Sequence, residues 1–295
     1  MSARVTKQSR RDSDMKVLTH LGPVGAEITG LDIAKPLSPS QIRALREIWL
    51  ECGFIVLRNQ NLSPEAQADF AAHFGELDVY PFMQAVPECE YVIPIIKEPD
   101  AKLNFGGDWH TDTSYKARPP QATVLYAVSV PPEGGDTLFA DPTQAFQDLS
   151  PALQQQLEGL NGVYTPKMVH GRGGDYRRVS AKTQLGESYG GNDEFAESEV
   201  IHPLIRTHPE TGRKSIYCSR PHTHRIEGWK RSESKALIGY LTKHSTQSHY
   251  VTRLKWQAGT LVMWDNRCLF HNALNDYQGY RRHMHRVIIK GDEPR

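Results

Sequence analysis

From about residue 90 onward the chain is cut into short runs of β-branched and aromatic residues separated by glycine, proline and polar turns. Thr123–Val130, Ser215–Cys218, Tyr250–Trp256, Thr260–Trp264 and Arg286–Lys290 each have the length and composition of a strand, and Phe54–Leu57 reads as an earlier buried one. Gln257-Ala258-Gly259, between two of these runs, suits a hairpin turn. Many short strands cannot bury their faces singly, so this half of the chain must close into a sandwich or barrel. Helices gather at the start and between strands. Ser38-Pro39, Ser63-Pro64 and Ser150-Pro151 each place a capping hydroxyl before a proline at the first helical position. Behind the first, Ile42, Leu45, Trp49 and Cys52 recur at helical spacing, with Gly53 as the stop. A fourth helix, Ser232 to His244, is expected to bury Ala236, Leu237, Tyr240 and Leu241. The fold class is therefore mainly β with flanking helices.

A length of 295 residues without an internal repeat or a dividing linker fits one large β domain over residues 17–295. Residues 1–16, polar and basic at first, read as a disordered N-terminus. The stretch 164–199, rich in glycine and polar residues, reads as a lid-like insertion. Lys and Arg number 35 against 34 Asp and Glu. This balance argues against nucleic acid as a partner, because phosphate binding needs a basic surplus on one face. No apolar run is long enough for a membrane span. The four cysteines lack CxxC spacing and read as reduced thiols, so the chain is expected in the cytoplasm; a homo-oligomer is compatible with it.

Three features carry chemistry. In Trp109-His110-Thr111-Asp112, residues two apart on a strand would point the same way and reach one ion. His271 follows the apolar run Thr260–Trp264 and could sit at a barrel rim. Two imidazoles and a carboxylate on one face of an octahedral ferrous ion leave three sites open. Zinc can use the same set, so the ligands alone do not choose the metal. If residues 281–289 form a strand, Arg282, Met284, Arg286 and Ile288 share one face, and Arg281, His283, His285 and Val287 the other. Two guanidiniums on one face form a site for carboxylates, since the planar fork meets a carboxylate with two hydrogen bonds.

At these residues the chain resembles the taurine dioxygenase and 2,4-dichlorophenoxyacetate dioxygenase group of Fe(II)/2-oxoglutarate enzymes. Matching segments are Trp109-His110-Thr111-Asp112, Gly134-Gly135-Asp136-Thr137-Leu138, Thr207-His208-Pro209 with Gly212, Trp264-Asp265-Asn266-Arg267, His271 and Arg281 to Arg286. The resemblance implies a double-stranded β-helix, or jelly roll, and iron held by His110, Asp112 and His271. It implies that Thr137 and Arg282 hold the distal carboxylate of 2-oxoglutarate, with Arg286 nearer the metal, touching cosubstrate, substrate anion or both. It implies O2 as second cosubstrate and a small anionic substrate of the aryloxyalkanoate, alkyl sulfate or sulfonate class. Tyr80 stands where the taurine enzyme has a sulfonate-binding histidine, and Gly106 where it has an asparagine, which argues against taurine itself. Tyr80, Phe82, Asn104, Tyr115, Arg220, His222 and His224 are candidates for the substrate pocket. A zinc hydrolase on the same ligands and a non-catalytic anion-binding β-barrel are the alternatives.

Overall fold

The computed structural model describes residues 15–171, 174 and 193–295. The N-terminal expectation falls almost wholly outside them, as does most of the proposed lid. In chain order the strands are β1 (Lys16–His20), β2 (Ala26–Thr29), β3 (Phe54–Leu57), β4 (Leu77–Asp78), β5 (Ile93–Lys97), β6 (Ala122–Ser129), β7 (Thr137–Ala140) and β8 (Asn161–Tyr164). They continue as β9 (Val200–Pro203), β10 (Ile205–Thr207), β11 (Lys214–Ile216), β12 (Thr223–Ile226), β13 (Val251–Leu254), β14 (Leu261–Asp265), β15 (Phe270–Ala273) and β16 (Arg282–Ile289). The helices are α1 (Pro39–Cys52), α2 (Pro64–Ala72), α3 (Pro142–Gln147), α4 (Pro151–Glu158), α5 (Lys167–His170), α6 (Asp193–Ala196) and α7 (Arg231–Ser245). No helix among the described residues is long and apolar enough to cross a membrane.

The largest sheet runs β1-β2-β3-β14-β6-β16-β4, with β5 also on β16. A second sheet, β13-β7-β15, supplies facing aromatic residues. Between them lies one core: Phe54, Val56, Leu125, Val262, Trp264, Met284 and Ile288 from the large sheet, Phe139 and Leu254 from the small one. Phe54 stacks on Phe139 with ring centroids 4.2 Å apart. The other face of the large sheet (Ile55, Leu57, Val124, Leu261, Met263, Val287) is covered by Leu45 and Trp49 of α1 and Phe70 of α2. A sheet buried on both faces needs continuous apolar runs rather than alternation, which is why β3 and β14 are buried at every residue.

The first two serine caps form as expected: Ser38 Oγ accepts from Gln41 N at 3.2 Å and Ser63 Oγ from Ala66 N at 3.2 Å. Ser150 makes no such bond, so there proline alone sets the helix start. An additional helix, α3, begins after Asp141, whose carboxylate accepts from Thr143 N and Gln144 N, both at 3.0 Å. On α7 the buried stripe is Ser234, Ile238, Leu241, Thr242 and Ser245, while Ala236 and Tyr240 are exposed. Of the four expected residues Leu241 is buried and Leu237 half-buried; the rest of the buried stripe is shared with serine and threonine, which an apolar pattern does not show. The hydroxyls of Thr242 and Ser245 donate to carbonyls one turn earlier (2.8 and 2.9 Å), which lets them be buried cheaply.

The turn at residues 257–259 is no hairpin. β13 pairs with β7, whereas β14 pairs with β3 and β6, so the turn carries the chain between sheets. Gly259, at φ +76°, lies against the backbone of Gln60, where a Cβ would meet the carbonyl oxygen at 2.7 Å. Its N–H donates to Ala127 O at 2.8 Å and its carbonyl accepts from Gln60 N at 2.7 Å.

After β14 a buried ionic bracket sets the path into β15. Arg267 grips Asp265 through Nε to Oδ1 (2.8 Å) and Nη2 to Oδ2 (2.7 Å). His208 Nε2 donates to Asp265 Oδ2 at 3.0 Å, and its Nδ1 accepts from Glu210 N and Thr211 N. Burial alone would raise the Asp265 pKa; Arg267 and His208 together hold it well below the usual carboxylate range. His208, Asp265 and Cys268 lie close enough to suggest a metal site, but both carboxylate oxygens are already engaged. Arg267→Met leaves a buried carboxylate without its cation, and we expect it to cost about 3–5 kcal/mol in urea unfolding. A depressed carboxylate contributes stability that is complete above its unfolded pKa of about 4 and is lost as the pH falls further. The wild-type urea midpoint should therefore drop more steeply than that of Arg267→Met between pH 5 and 3; equal slopes would refute this role for the pair.

Candidate active site

His110 enters the site on an isolated bridge to His271. Its N–H donates to His271 O at 3.1 Å, and His271 N returns a bond to His110 O at 2.8 Å. His271 lies on β15 rather than just past β14. Asp112 is in a turn, not on a strand. The expected convergence of the two side chains is thus produced by a bend. Thr113, next in line, has φ +43°, a conformation a β-branched residue adopts only under strain of about 1–3 kcal/mol. Thr111 Oγ1 ties the bend down by donating to Asn266 O at 2.6 Å.

The three candidate ligands converge. Their donor atoms lie within 4.8 Å of one another, and all three residues are buried. Asp112 Oδ1 stands 3.7 Å from Nε2 of both His110 and His271. Its other oxygen accepts from Thr123 Oγ1 at 2.6 Å; that hydroxyl accepts from Asn266 Nδ2 at 2.9 Å, and Asn266 Oδ1 accepts from the Trp264 indole at 2.9 Å. This chain of bonds fixes the carboxylate's rotation and explains the Trp264 and Asn266 positions of the motif. His110 Nδ1 donates to Asp108 O at 2.7 Å, which puts the lone pair on Nε2, toward Asp112. Burial, followed by the neighbouring His110, lowers the His271 pKa to about 3, so its ring is neutral. Burial would raise Asp112, but above all the Arg286 guanidinium holds it well below the carboxylate range. The neutral His271 ring and the ionised Asp112 carboxylate are in the states a divalent cation requires.

The inward face of β16 alternates as expected, with Arg282, Met284 and Arg286 buried. Arg286 Nη2 approaches Asp112 Oδ1 to 3.0 Å, and its guanidinium lies over the rings of Tyr80 (4.9 Å) and Phe105 (5.9 Å). Arg282 sits further along, 5.6 Å over the Trp256 ring, and its Nε and Nη2 are buried without a hydrogen-bond partner. The Trp256 indole also donates to Thr137 Oγ1 at 2.9 Å. One aromatic residue therefore joins Thr137 to Arg282 and leaves the threonine proton to be donated elsewhere. Thr137 is delivered by the Gly134-Gly135 turn, both at positive φ; a Cβ on Gly134 would meet Asp276 O at 2.7 Å.

A cavity of about 460 Å³ opens beside Asp112 and Arg286. Of the candidate pocket residues, Tyr80, Asn104, Tyr115, Arg220 and His222 line it. Asn104 does so with its amide donating to Ala273 O (2.8 Å) and Leu274 O (3.2 Å), so it braces the wall. Phe82 lies one layer back, stacked on His170 at 4.0 Å. His224 lines a separate neighbouring cavity with Arg231 and Lys235. Sequence reasoning did not single out Trp256, Thr123, Thr113, Phe105 or His170. Only His170 carried a signal, its place in the segment assigned as a lid; it lines the cavity with Met168 and Val169. Burial, opposed by Arg286, pushes the Tyr80 hydroxyl up to about 12, and burial lowers His170 to about 3. Apart from Asp112, the side chains around Arg286 are therefore largely aromatic and uncharged.

Comparison with known proteins gives the family. Residues 17–288 match the model of the "Taurine catabolism dioxygenase TauD, TfdA family". A Saccharomyces cerevisiae α-ketoglutarate-dependent sulfonate dioxygenase is 31% identical over 95% of this chain and 68% of its own length. A Cupriavidus pinatubonensis α-ketoglutarate-dependent 2,4-dichlorophenoxyacetate dioxygenase is 30% identical over 90% and 94%. The crystal structure of a Burkholderia xenovorans protein described as a putative α-ketoglutarate-dependent taurine dioxygenase superposes with a TM-score of 0.78 at 32% identity, covering 95% of this chain and 94% of that one. With a family model spanning nearly its whole length, this chain belongs to the TauD/TfdA family of dioxygenases.

Proposed function

We propose that the chain is an Fe(II)- and 2-oxoglutarate-dependent dioxygenase that hydroxylates a small organic anion of the sulfonate, alkyl sulfate or aryloxyalkanoate class. The observation that carries this is the buried His110–Asp112–His271 cluster beside two buried arginines on one strand. The two facing, mainly antiparallel sheets support the double-stranded β-helix as the underlying fold. A zinc hydrolase would leave the Arg282–Trp256–Thr137 arrangement without a purpose, and a passive anion-binding barrel would leave the His110–Asp112–His271 cluster without one.

The residues fit the cofactor. His110, Asp112 and His271 would hold ferrous iron through two nitrogens and one oxygen on one side, the ligand set that leaves positions open. Arg282 and Thr137 would take the distal carboxylate of 2-oxoglutarate, which offsets the cost of burying an unpaired guanidinium. Together the ferrous ion and 2-oxoglutarate supply the oxidation: O2 is consumed, 2-oxoglutarate becomes succinate and CO2, and a substrate C–H becomes C–OH. When that carbon bears a sulfonate, sulfate ester or aryloxy group, the hydroxylated product collapses and expels it.

Arg286 is the group for the substrate anion, because it lines the cavity and Arg282 does not. Asp112 Oδ1 faces both the imidazoles and Arg286, so a cation bound there draws on the oxygen that otherwise balances the guanidinium, and a second anion is favoured. Asp112, the one buried carboxylate lining the cavity among the described residues, is already engaged by Arg286 and Thr123, so an amino group on the substrate would find no free buried counter-charge. Tyr80, Phe105 and Tyr115 offer their rings to an apolar body and exclude water from around it.

Incubation of the Fe(II)-loaded protein with 2-oxoglutarate and a panel of these anions should release succinate, stimulated by one class. His110→Ala should abolish that release and weaken Mn(II) binding, read by calorimetry, by more than about a hundredfold. Unchanged Mn(II) affinity would remove His110 from the ligand set. Arg282→Met should raise KM for 2-oxoglutarate, and Arg286→Met KM for the substrate, each by roughly 10–100-fold. If both substitutions moved the same KM, the division of labour assigned here would be wrong.

A further inference from the structure

Lys97 is the one buried lysine among the described residues, 3% exposed, and its Nζ has no hydrogen-bond partner. A buried ammonium without an acceptor is costly, and folded proteins seldom leave one so. Its position is specific. Along β5 the residues Ile93, Ile95 and Lys97 are buried in alternation. In the ladder with β16 they stand opposite Arg286, Met284 and Arg282 in turn. Lys97 therefore shares the interior face with Arg282, as its direct cross-strand neighbour, with Cβ atoms expected roughly 5 Å apart. Its Nζ rests 4.5 Å over the Tyr277 ring. Tyr277 packs in turn beside the Gly134-Gly135 turn, where a Cβ on Gly135 would meet both the Tyr277 ring (3.2 Å) and Arg282 Cδ (3.4 Å).

Lys97 and Arg282 stand opposite each other on the ladder, and among the described residues neither has a carboxylate within ion-pair distance. The other buried arginines all have one: Arg206 pairs with Asp292, Arg267 with Asp265 and Glu210, and Arg286 with Asp112. The surplus of cations without anions is concentrated at one end of the β5–β16 ladder. We propose that Lys97 is a second cation for the distal carboxylate of 2-oxoglutarate, closing on it from β5 as Arg282 does from β16. This rests on the assignment of Arg282 above. It makes Lys97 a specificity residue, selecting cosubstrates whose far end is charged. The Tyr277 ring holds the ammonium in place without neutralising it.

The test is equilibrium binding, without O2 or primary substrate, to the Mn(II)-loaded protein. Two ligands are compared by calorimetry: 2-oxoglutarate, and 2-oxopentanoate, which keeps the keto acid but ends in a methyl group. Lys97→Met should weaken 2-oxoglutarate binding roughly tenfold and leave 2-oxopentanoate unchanged. Lys97→Arg should retain affinity for 2-oxoglutarate within about threefold, since it keeps the charge. Unchanged binding of 2-oxoglutarate to Lys97→Met would overturn the proposal. So would an equal loss for both ligands, which would mean that Lys97 only supports the wall. Lys97→Gln serves the same comparison if the methionine variant does not fold. Arg282→Met is the independent control: if it binds 2-oxoglutarate as the wild type does, the assignment beneath the proposal fails, whatever Lys97 does.

Discussion

The position of one carboxylate oxygen governs the site. Asp112 Oδ1 faces two imidazoles and a guanidinium at once, in surroundings that would by themselves favour its protonation. It is kept ionised above all by the Arg286 guanidinium and kept in place by its twin oxygen, which is bonded to Thr123 on β6. Thr123 is braced by Asn266 and, through it, by Trp264 on β14. The central strands of the large sheet thus set the rotamer of a side chain that itself lies in an irregular turn. Without that bracing the turn residue would be free to rotate, and two histidines from distant parts of the chain would face no common ligand.

β16 serves the core and the site together through its alternation. Met284 and Ile288 fill the interior between the sheets, while Arg282 and Arg286 on the same face lie on either side of Met284. Their spacing of four residues along a strand, at about 3.3 Å per residue, separates the two guanidinium bases by roughly 13 Å. That separation places one arginine beside the His110–Asp112–His271 cluster and the cavity and the other beside Trp256 and Thr137. On the proposed assignment, two anions would be told apart by position on a single strand.

Much of this was legible in the sequence, for identifiable reasons. The β16 alternation could be read because period-2 burial leaves a direct trace, and Ser38 and Ser63 because capping is local chemistry. Failures came where distant partners decide. Gln257-Ala258-Gly259 has hairpin composition, but the strands it joins find other neighbours, and only the backbone of Gln60 and Ala127 shows why a glycine is needed there. The α7 stripe was read only in part because buried serine and threonine look polar until their bonds along the helix are seen. His110 and Asp112 were paired for the wrong local reason: the shared direction comes from a strained turn at Thr113, not from a strand. Trp256 looked like the end of a strand because its two partners, Thr137 and Arg282, lie 119 residues before it and 26 after it.

The same interior shows why such a site is kept against the pressure of stability. Position 284 holds a methionine fully buried among aliphatic and aromatic neighbours, so the space around β16 readily accepts an apolar side chain. Methionine at 282 would fill much of the arginine's volume and remove a guanidinium left with two nitrogens unbonded, and replacing such buried charges with apolar residues is often neutral or stabilising. Lys97, alternating with Ile93 and Ile95, stands where a third isoleucine would complete the face. Packing therefore does not account for these cations. On the proposed assignment they raise the energy of the empty fold, and the distal carboxylate of 2-oxoglutarate would recover that energy as binding, so the same buried charges would be a cost to folding and a source of affinity.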